Sequence, residues 1–187
     1  MIFIMGMIAI VCVLPIQKFI QAHIDSHQWQ LVLWAGAEEI IKYLAVLIVL
    51  YRTKYIDEPI EWPIYMITVA LGFAALENTL FLIAPLANGE IAKSLLTGNL
   101  RFIGATLLHI AASSIIGAFA AFLFYKSKKI KDAAIFIGLI VAVILHATFN
   151  LIINTEKDNA LMIAFAVAWA TIIVVLAVFE KVKRLPR

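Results

Sequence analysis

The sequence is poor in charged residues and almost devoid of cysteine. Only 14% of its 187 residues are charged and 64% are hydrophobic, and the mean hydropathy is +1.01. These values exclude a water-soluble globular domain, and they also exclude intrinsic disorder. The single cysteine, Cys12, cannot form an internal disulfide and excludes a cysteine metal cluster. Its position in an apolar run indicates a small packing residue.

Other signatures are also missing. The sequence contains neither internal repeats nor low-complexity segments, and it lacks the H-E-x-x-H motif of conventional zinc peptidases. The net charge of +3 is modest, and its basic residues sit in short connectors. We therefore predict no nucleic-acid partner.

What the chain does contain is a series of long apolar runs. A membrane-spanning helix needs about 20 mostly apolar residues. Six runs qualify, at about 1–20, 29–51, 62–84, 101–125, 131–153 and 159–180. We predict an all-α, polytopic membrane protein, with a single integral membrane domain over residues 1–187 and its helices in a bundle. The polar stretch 86–100 is too short to span, and we expect it to lie at the membrane surface as an amphipathic or partly re-entrant segment.

The distribution of lysine and arginine predicts the orientation of the chain. If all six runs span, one side holds both termini and the connectors at 52–61 and 126–130. That side carries Arg52, Lys54, Lys126, Lys128, Lys129, Lys131, Lys181, Lys183, Arg184 and Arg187. The other side carries Lys18, Lys93 and Lys157, with Arg101 at a helix entrance. The positive-inside rule then places both termini in the cytoplasm, and we expect a prokaryotic cell membrane.

Four of the runs contain ionisable or amide side chains. These are Glu38, Glu39 and Lys42 in the second run, Glu77 and Asn78 in the third, His109 in the fourth, and His146 and Asn150 in the fifth. A charge at mid-bilayer costs roughly 2.5–3.5 kcal/mol on insertion scales. The three glutamates and the lysine therefore approach about 10 kcal/mol before any pairing, which is comparable to the stability of a whole domain. We predict that these groups face one another in a buried polar site.

Counting along the runs places the groups at one depth. Each of Glu39, Glu77, His109 and His146 lies seven or eight residues from the same end of the bundle, the outer end in the predicted orientation. At 1.5 Å per residue this depth is roughly 10–12 Å. We therefore predict one polar layer that water reaches from the outer side. The fourth run is rich in small residues, including Ser113, Gly117 and Ala121, which predicts close packing at the bundle centre.

The residue types in this layer suit acid–base chemistry. Lys42 can reach Glu38 four residues away or Glu39 three residues away, but it cannot neutralise both. A buried carboxylate beside an ammonium is a candidate general base near neutral pH. His146 and Asn150 lie one helical turn apart on the same face and are donors suited to a developing oxyanion. The same histidines, bonded only to neighbouring polar groups, would be ordinary core residues.

At these residues the chain resembles the PrsW family of intramembrane proteases, within the wider group that includes the CAAX prenyl endopeptidases. The matching motifs are Glu38-Glu39-x-x-Lys42, Phe73-x-x-x-Glu77-Asn78, His109 through Gly117, and His146-x-x-Phe149-Asn150. They cover about residues 31–153, the motif-bearing core. The resemblance implies hydrolysis of a peptide bond in a membrane-anchored protein or peptide, by glutamate-activated water or with a metal.

We therefore expect an intramembrane endopeptidase. The expected catalytic residues are Glu38 or Glu39 as general base, Glu77 or His109 to orient water, and His146 and Asn150 to stabilise the oxyanion. Lys42, Asn78 and Arg101 are expected to support them. The scheme requires no cofactor. If a divalent metal such as zinc is bound, the candidate ligands are Glu39, Glu77, His109 and His146.

Two other functions fit intramembrane polar groups. A proton- or ion-coupled transporter uses Glu, His and Lys along an ion pathway, but it would favour repeat symmetry between the two halves of the chain. An inert membrane scaffold uses polar groups to hold helices together. Each substitution in a scaffold would cost a little stability and no discrete activity.

Overall fold

The structure, a computed structural model, describes residues 1–53, 56–155 and 159–184, apart from the side chains of 52–53, 84, 93, 97 and 99–101. Regular secondary structure in these ranges is α-helical. The helices are α1 (Ile2–His23), α2 (His27–Thr53), α3 (Glu61–Ala87), α4 (Ile91–Phe122), α5 (Lys128–Ile153) and α6 (Ala160–Val182). The predicted all-α bundle of about six helices is confirmed.

Within the described ranges, five helices are long and apolar enough to cross a membrane, and in α4 the stretch that qualifies is Phe102–Phe122. The exception is α2, because Glu38, Glu39 and Lys42 lie near its middle. These three residues are at most 4% exposed, so α2 presents its charges to neighbouring helices and not to lipid. Its 27 residues are enough for a hydrocarbon core of about 30 Å. We therefore treat α2 as the sixth span.

The segment before the fourth span is largely helical. Residues 91–100 form the first turns of α4 and continue without a break into the span, because no proline interrupts the sequence between them. Ile91, Leu95 and Leu96 are exposed, whereas Ser94 is buried. Gly89, at φ 75°, adopts the left-handed conformation in the turn that joins α3 to α4.

Helices α2 and α4 form the centre of the bundle. α4 contacts α2, α3, α5 and α6, and α2 also contacts α1, α3 and α5. The main core lies where these helices meet and includes Val46, Met66, Phe73, Ala112 and Ile116. Side chains on the inner faces of α2 and α4 are therefore brought together with those of α3 and α5.

Small residues allow α4 to approach α3 closely. A Cβ atom added at Gly117 would collide with the backbone of Pro63 and Trp62 at the start of α3. Gly117 is buried, as are Ser113 and Ala121 on the same face, in agreement with the predicted close packing. The approach fixes the spacing between the two helices that carry Glu77 and His109.

Gly117→Ala is expected to destabilise the protein by about 1–3 kcal/mol, because the added methyl group meets backbone atoms that cannot move aside. Gly36→Ala is the matched control, since its Cβ would meet only Cγ1 of Val143, at 3.9 Å. There the better helix propensity of alanine should leave stability unchanged or raise it. Thermal unfolding in detergent compares the two variants. Equal melting temperatures would show that the α3–α4 contact does not need glycine.

Candidate active site

The polar motifs of four helices converge inside the bundle. Glu38, Glu39, Lys42, His109 and His146 are each at most 4% exposed. The rings of His109 on α4 and His146 on α5 meet edge to face, with their centroids 5.1 Å apart. The predicted convergence of these groups is therefore observed.

Glu39 is the enclosed member of the glutamate pair. Its Oε1 accepts a hydrogen bond from Nζ of Lys42 at 2.5 Å and lies 2.8 Å from Nδ1 of His146. Its Oε2 accepts one from the Ser113 hydroxyl at 2.8 Å. Because an ionised carboxylate only accepts, the hydrogen of this contact belongs to Nδ1 of His146. With both oxygens engaged and the residue 0% exposed, Glu39 anchors Lys42 and His146.

Lys42 connects this anchor to the second histidine. Its Nζ lies 3.0 Å from Nδ1 of His109 and 4.6 Å from the centroid of the Phe73 ring. An ammonium group has only hydrogens to donate, so Nδ1 of His109 is the acceptor. A neutral ring then carries its hydrogen on Nε2, which lies 3.0 Å from Oε2 of Glu77. Lys42 thus sets both the position and the tautomer of His109.

Glu38 points away from Glu39, since neighbouring residues on a helix are rotated by about 100°. Its Oε1 accepts a hydrogen bond from Nε2 of Gln17 at 2.9 Å. Its Oε2 lies 3.6 Å from Nε2 of His146. Of the two adjacent carboxylates, Glu38 is the one that reaches a cavity.

That cavity has a volume of about 640 Å³ and is bordered by all six helices. Its polar wall is formed by Glu38, Glu77, His109, His146 and Asn150, together with Gln17. The rest is mostly apolar and includes Trp34, Leu80, Phe81, Phe149 and Phe165. The lining continues to His27, Asn154 and Leu161 at helix ends. The cavity therefore runs from the polar cluster toward the end of the bundle where α5 ends and α2 and α6 begin.

The other three predicted site residues are Asn150, Asn78 and Arg101. Asn150 lies on the cavity wall. Asn78 does not line the cavity; its amide donates to the Thr106 hydroxyl at 3.1 Å and ties α3 to α4. The side chain of Arg101 lies outside the described residues.

Two residues of the site were missed from the sequence. Gln17 lies on α1, before the motif-bearing core, and its polar side chain near the end of an apolar run was the available signal. The sequence predicts only a packing role for Ser113, because a serine among small residues is typical of close helix contact. It does pack there, and it also bonds to Glu39.

Glu38, His109 and His146 could hold a metal ion. One ligand atom from each lies within 4.8 Å of the others, and two imidazoles with a carboxylate are a donor set that zinc accepts. This set of candidate ligands contains Glu38, whereas the set predicted from the sequence contained Glu39 and Glu77 together with the two histidines. Glu39 instead contacts Nδ1 of His146. In metal sites, a carboxylate in this position orients a histidine whose other nitrogen binds the metal. Binding through Nε2 of His109 would require the hydrogen on that atom to leave.

Comparison with known proteins adds a family match. The model of the "PrsW family intramembrane metalloprotease" matches residues 1–179. The chain is 27% identical to Protease PrsW of Shouchella clausii (strain KSM-K16), over 89% of this chain and 75% of that protein. It is 27% identical to Protease PrsW of Geobacillus kaustophilus (strain HTA426), over 72% of this chain and 57% of that protein.

A third relative, Protease PrsW of Bacillus subtilis (strain 168), is 27% identical over 65% of this chain and 52% of its own length. The chain thus spans between about half and three quarters of the length of these bacterial relatives. No solved structure matches it.

The buried pair of Lys42 and Glu39 can be tested by a double-mutant cycle. Lys42→Met and Glu39→Gln should each cost about 3–5 kcal/mol, because each leaves a buried charge without its partner. The double variant should lose less than the sum of the two. Lys183→Met is the matched control: Lys183 and Glu180 are 3.7 Å apart but 61% and 56% exposed, and such exposed pairs contribute little to stability. The free energy of unfolding in detergent is measured for all four variants. A loss of stability in Lys42→Met as small as that in the control would contradict the anchoring role.

Proposed function

Because the chain belongs to the PrsW family of intramembrane proteases, we propose that it hydrolyses a peptide bond in a membrane-anchored protein or peptide. The observation that carries the proposal is the position of Glu38. It is a buried carboxylate on the wall of a cavity, with two histidines and an asparagine on the same wall. A water molecule, a peptide carbonyl and a base can meet there.

In the proposed mechanism Glu38 is the general base. It takes a proton from water as the water oxygen attacks the carbonyl carbon, and it later returns that proton to the leaving amine. Glu77 orients the water from the cavity wall. Its Oε2 is held by the hydrogen on Nε2 of His109, whose Nδ1 accepts from Lys42. The cavity supports Glu38 over Glu39 in this role, because Glu39 is enclosed and does not line the cavity.

The developing oxyanion is assigned to His146 and Asn150. Both line the cavity, and the Asn150 amide and an imidazole N–H are donors of the kind that stabilise a tetrahedral intermediate. Because Nδ1 of His146 donates to Glu39, Nε2 is the nitrogen that faces the reaction. Nε2 donates to the oxyanion in the doubly protonated ring, in which both nitrogens carry a hydrogen. Preorganised donors in a site that excludes bulk water are worth more than the same donors in solution.

The substrate is proposed to enter at the end of the bundle where α5 ends and α2 and α6 begin. In the predicted orientation, with both termini in the cytoplasm, this is the extracytoplasmic side. The apolar wall, with Trp34, Phe81, Phe149 and Phe165, suits large apolar side chains next to the cleaved bond. The cleaved bond would then lie near the outer membrane surface.

A metal-dependent variant of the same reaction is the second candidate, favoured by the spacing of Glu38, His109 and His146. A divalent metal held by these residues would supply a Lewis acid. The hydrogen bond from Lys42 to His109 opposes it, because it leaves the hydrogen on Nε2. A transporter or an inert scaffold accounts less well for a cavity that ends on a carboxylate and two histidines in a member of a protease family.

Substitution of the two glutamates separates base from anchor. Glu38→Gln should lower the rate of cleavage by about 10²–10⁴-fold without a change in melting temperature, since only the base is lost. Glu39→Gln should lower activity and stability together. Cleavage of a single-pass substrate in proteoliposomes, read by mass spectrometry, measures the rates, and Glu180→Gln, in an exposed pair, is the control. Full activity of Glu38→Gln would refute the base assignment.

Chelation distinguishes the two candidate mechanisms. If glutamate activates water alone, cleavage should survive dialysis against a chelator, and the purified protein should contain far less than one divalent ion per chain. Elemental analysis provides a reading that does not depend on activity. Stoichiometric zinc that is lost in both His109→Gln and His146→Gln, together with chelator-sensitive cleavage, would favour the metal-dependent mechanism.

A further inference from the structure

The residue that holds the proposed base comes from a helix outside the matched motifs. Gln17 lies on α1 and reaches across to α2, where its Nε2 donates to Oε1 of Glu38 at 2.9 Å. Gln17 is half-buried and lines the same cavity as Glu38. None of the four motifs that mark the family resemblance includes α1.

The two oxygens of the Glu38 carboxylate have different neighbours. Oε1 is engaged by Gln17, whereas Oε2 lies toward Nε2 of His146, 3.6 Å away. A carboxylate held at one oxygen cannot rotate freely about its last bond, so the other oxygen keeps a defined direction. Proton transfer depends on such alignment, and small displacements of a reacting group reduce rates strongly.

The glutamine is itself held in place. The indole Nε1 of Trp34 donates to the backbone oxygen of Gln17 at 3.2 Å. Trp34 lies one helical turn before Glu38 on α2. Gln17 is therefore held to α2 at two points: Trp34 binds its backbone oxygen, and Glu38 binds its side-chain amide. The two contacts join α1 to α2 at the level of the site.

The chemistry of the amide suits this task. An amide N–H is a neutral donor that can orient a carboxylate without supplying a positive charge. A lysine or arginine in the same place would pair with Glu38 and weaken it as a base. A glutamate there would place a second carboxylate against the first.

We propose that Gln17 is a positioning residue for the general base: its amide fixes Oε1 of Glu38 and thereby keeps Oε2 directed toward Nε2 of His146. The inference rests on the proposed function, because it requires Glu38 to act as base. It makes α1 part of the active site.

Gln17→Met tests the proposal, since methionine is close to glutamine in size and shape and lacks the donor. We expect kcat for a single-pass substrate in proteoliposomes to fall between about 10- and 100-fold, with KM unchanged. Gln30→Met is the matched control. Gln30 also uses its Nε2 in a hydrogen bond, to the backbone oxygen of Ile24 at 2.7 Å, but it does not line the cavity, so kcat should stay at the wild-type value. Melting temperatures of the two variants should agree.

The outcomes separate this inference from the function on which it rests. If Glu38→Gln is inactive but Gln17→Met keeps full kcat, Gln17 has no positioning role and the proposed function stands. A Gln17→Met that raises KM alone, or that melts well below the control and regains full kcat on cooling, also overturns the inference. If Glu38→Gln retains activity, the proposed function fails and the inference fails with it.

Discussion

The ion pair between Lys42 and Glu39 is the interaction on which the rest of the site depends. An ammonium group inside a membrane bundle is tolerated only where a carboxylate and further donors or acceptors replace its water. Glu39 provides that carboxylate, and its other contacts hold His146, while Lys42 also holds His109. Both imidazoles therefore take their positions from one buried pair, which accounts for charges placed where insertion is most costly.

The two neighbouring glutamates illustrate how a helix separates roles. A rotation of about 100° between successive residues turns Glu39 into the core and Glu38 toward the cavity. The enclosed carboxylate is surrounded by donors, and the other is left beside the space where a substrate would lie. The pair thus combines an anchor with the proposed general base.

Much of the architecture was predictable because it depends on residue type and spacing along the chain. The apolar runs predicted the helices, and the cost of intramembrane charge predicted that the polar groups would meet. Details that depend on contacts between helices were not predictable in this way. The polar stretch before the fourth span continues into α4 as helix, and Asn78 donates to Thr106 and so joins α3 to α4.

The sequence by itself determined an all-helical membrane bundle with one buried layer of acids, histidines and an amide. Only the tertiary structure decided that Glu38 reaches the cavity, that Gln17 and Ser113 join the site, and that Glu38 takes part in a possible ligand set. The reason is physical. Spanning helices are apolar on nearly every face, so their sequences carry little signal about rotation around the helix axis. That rotation is set by packing between helices, and it decides which side chains meet.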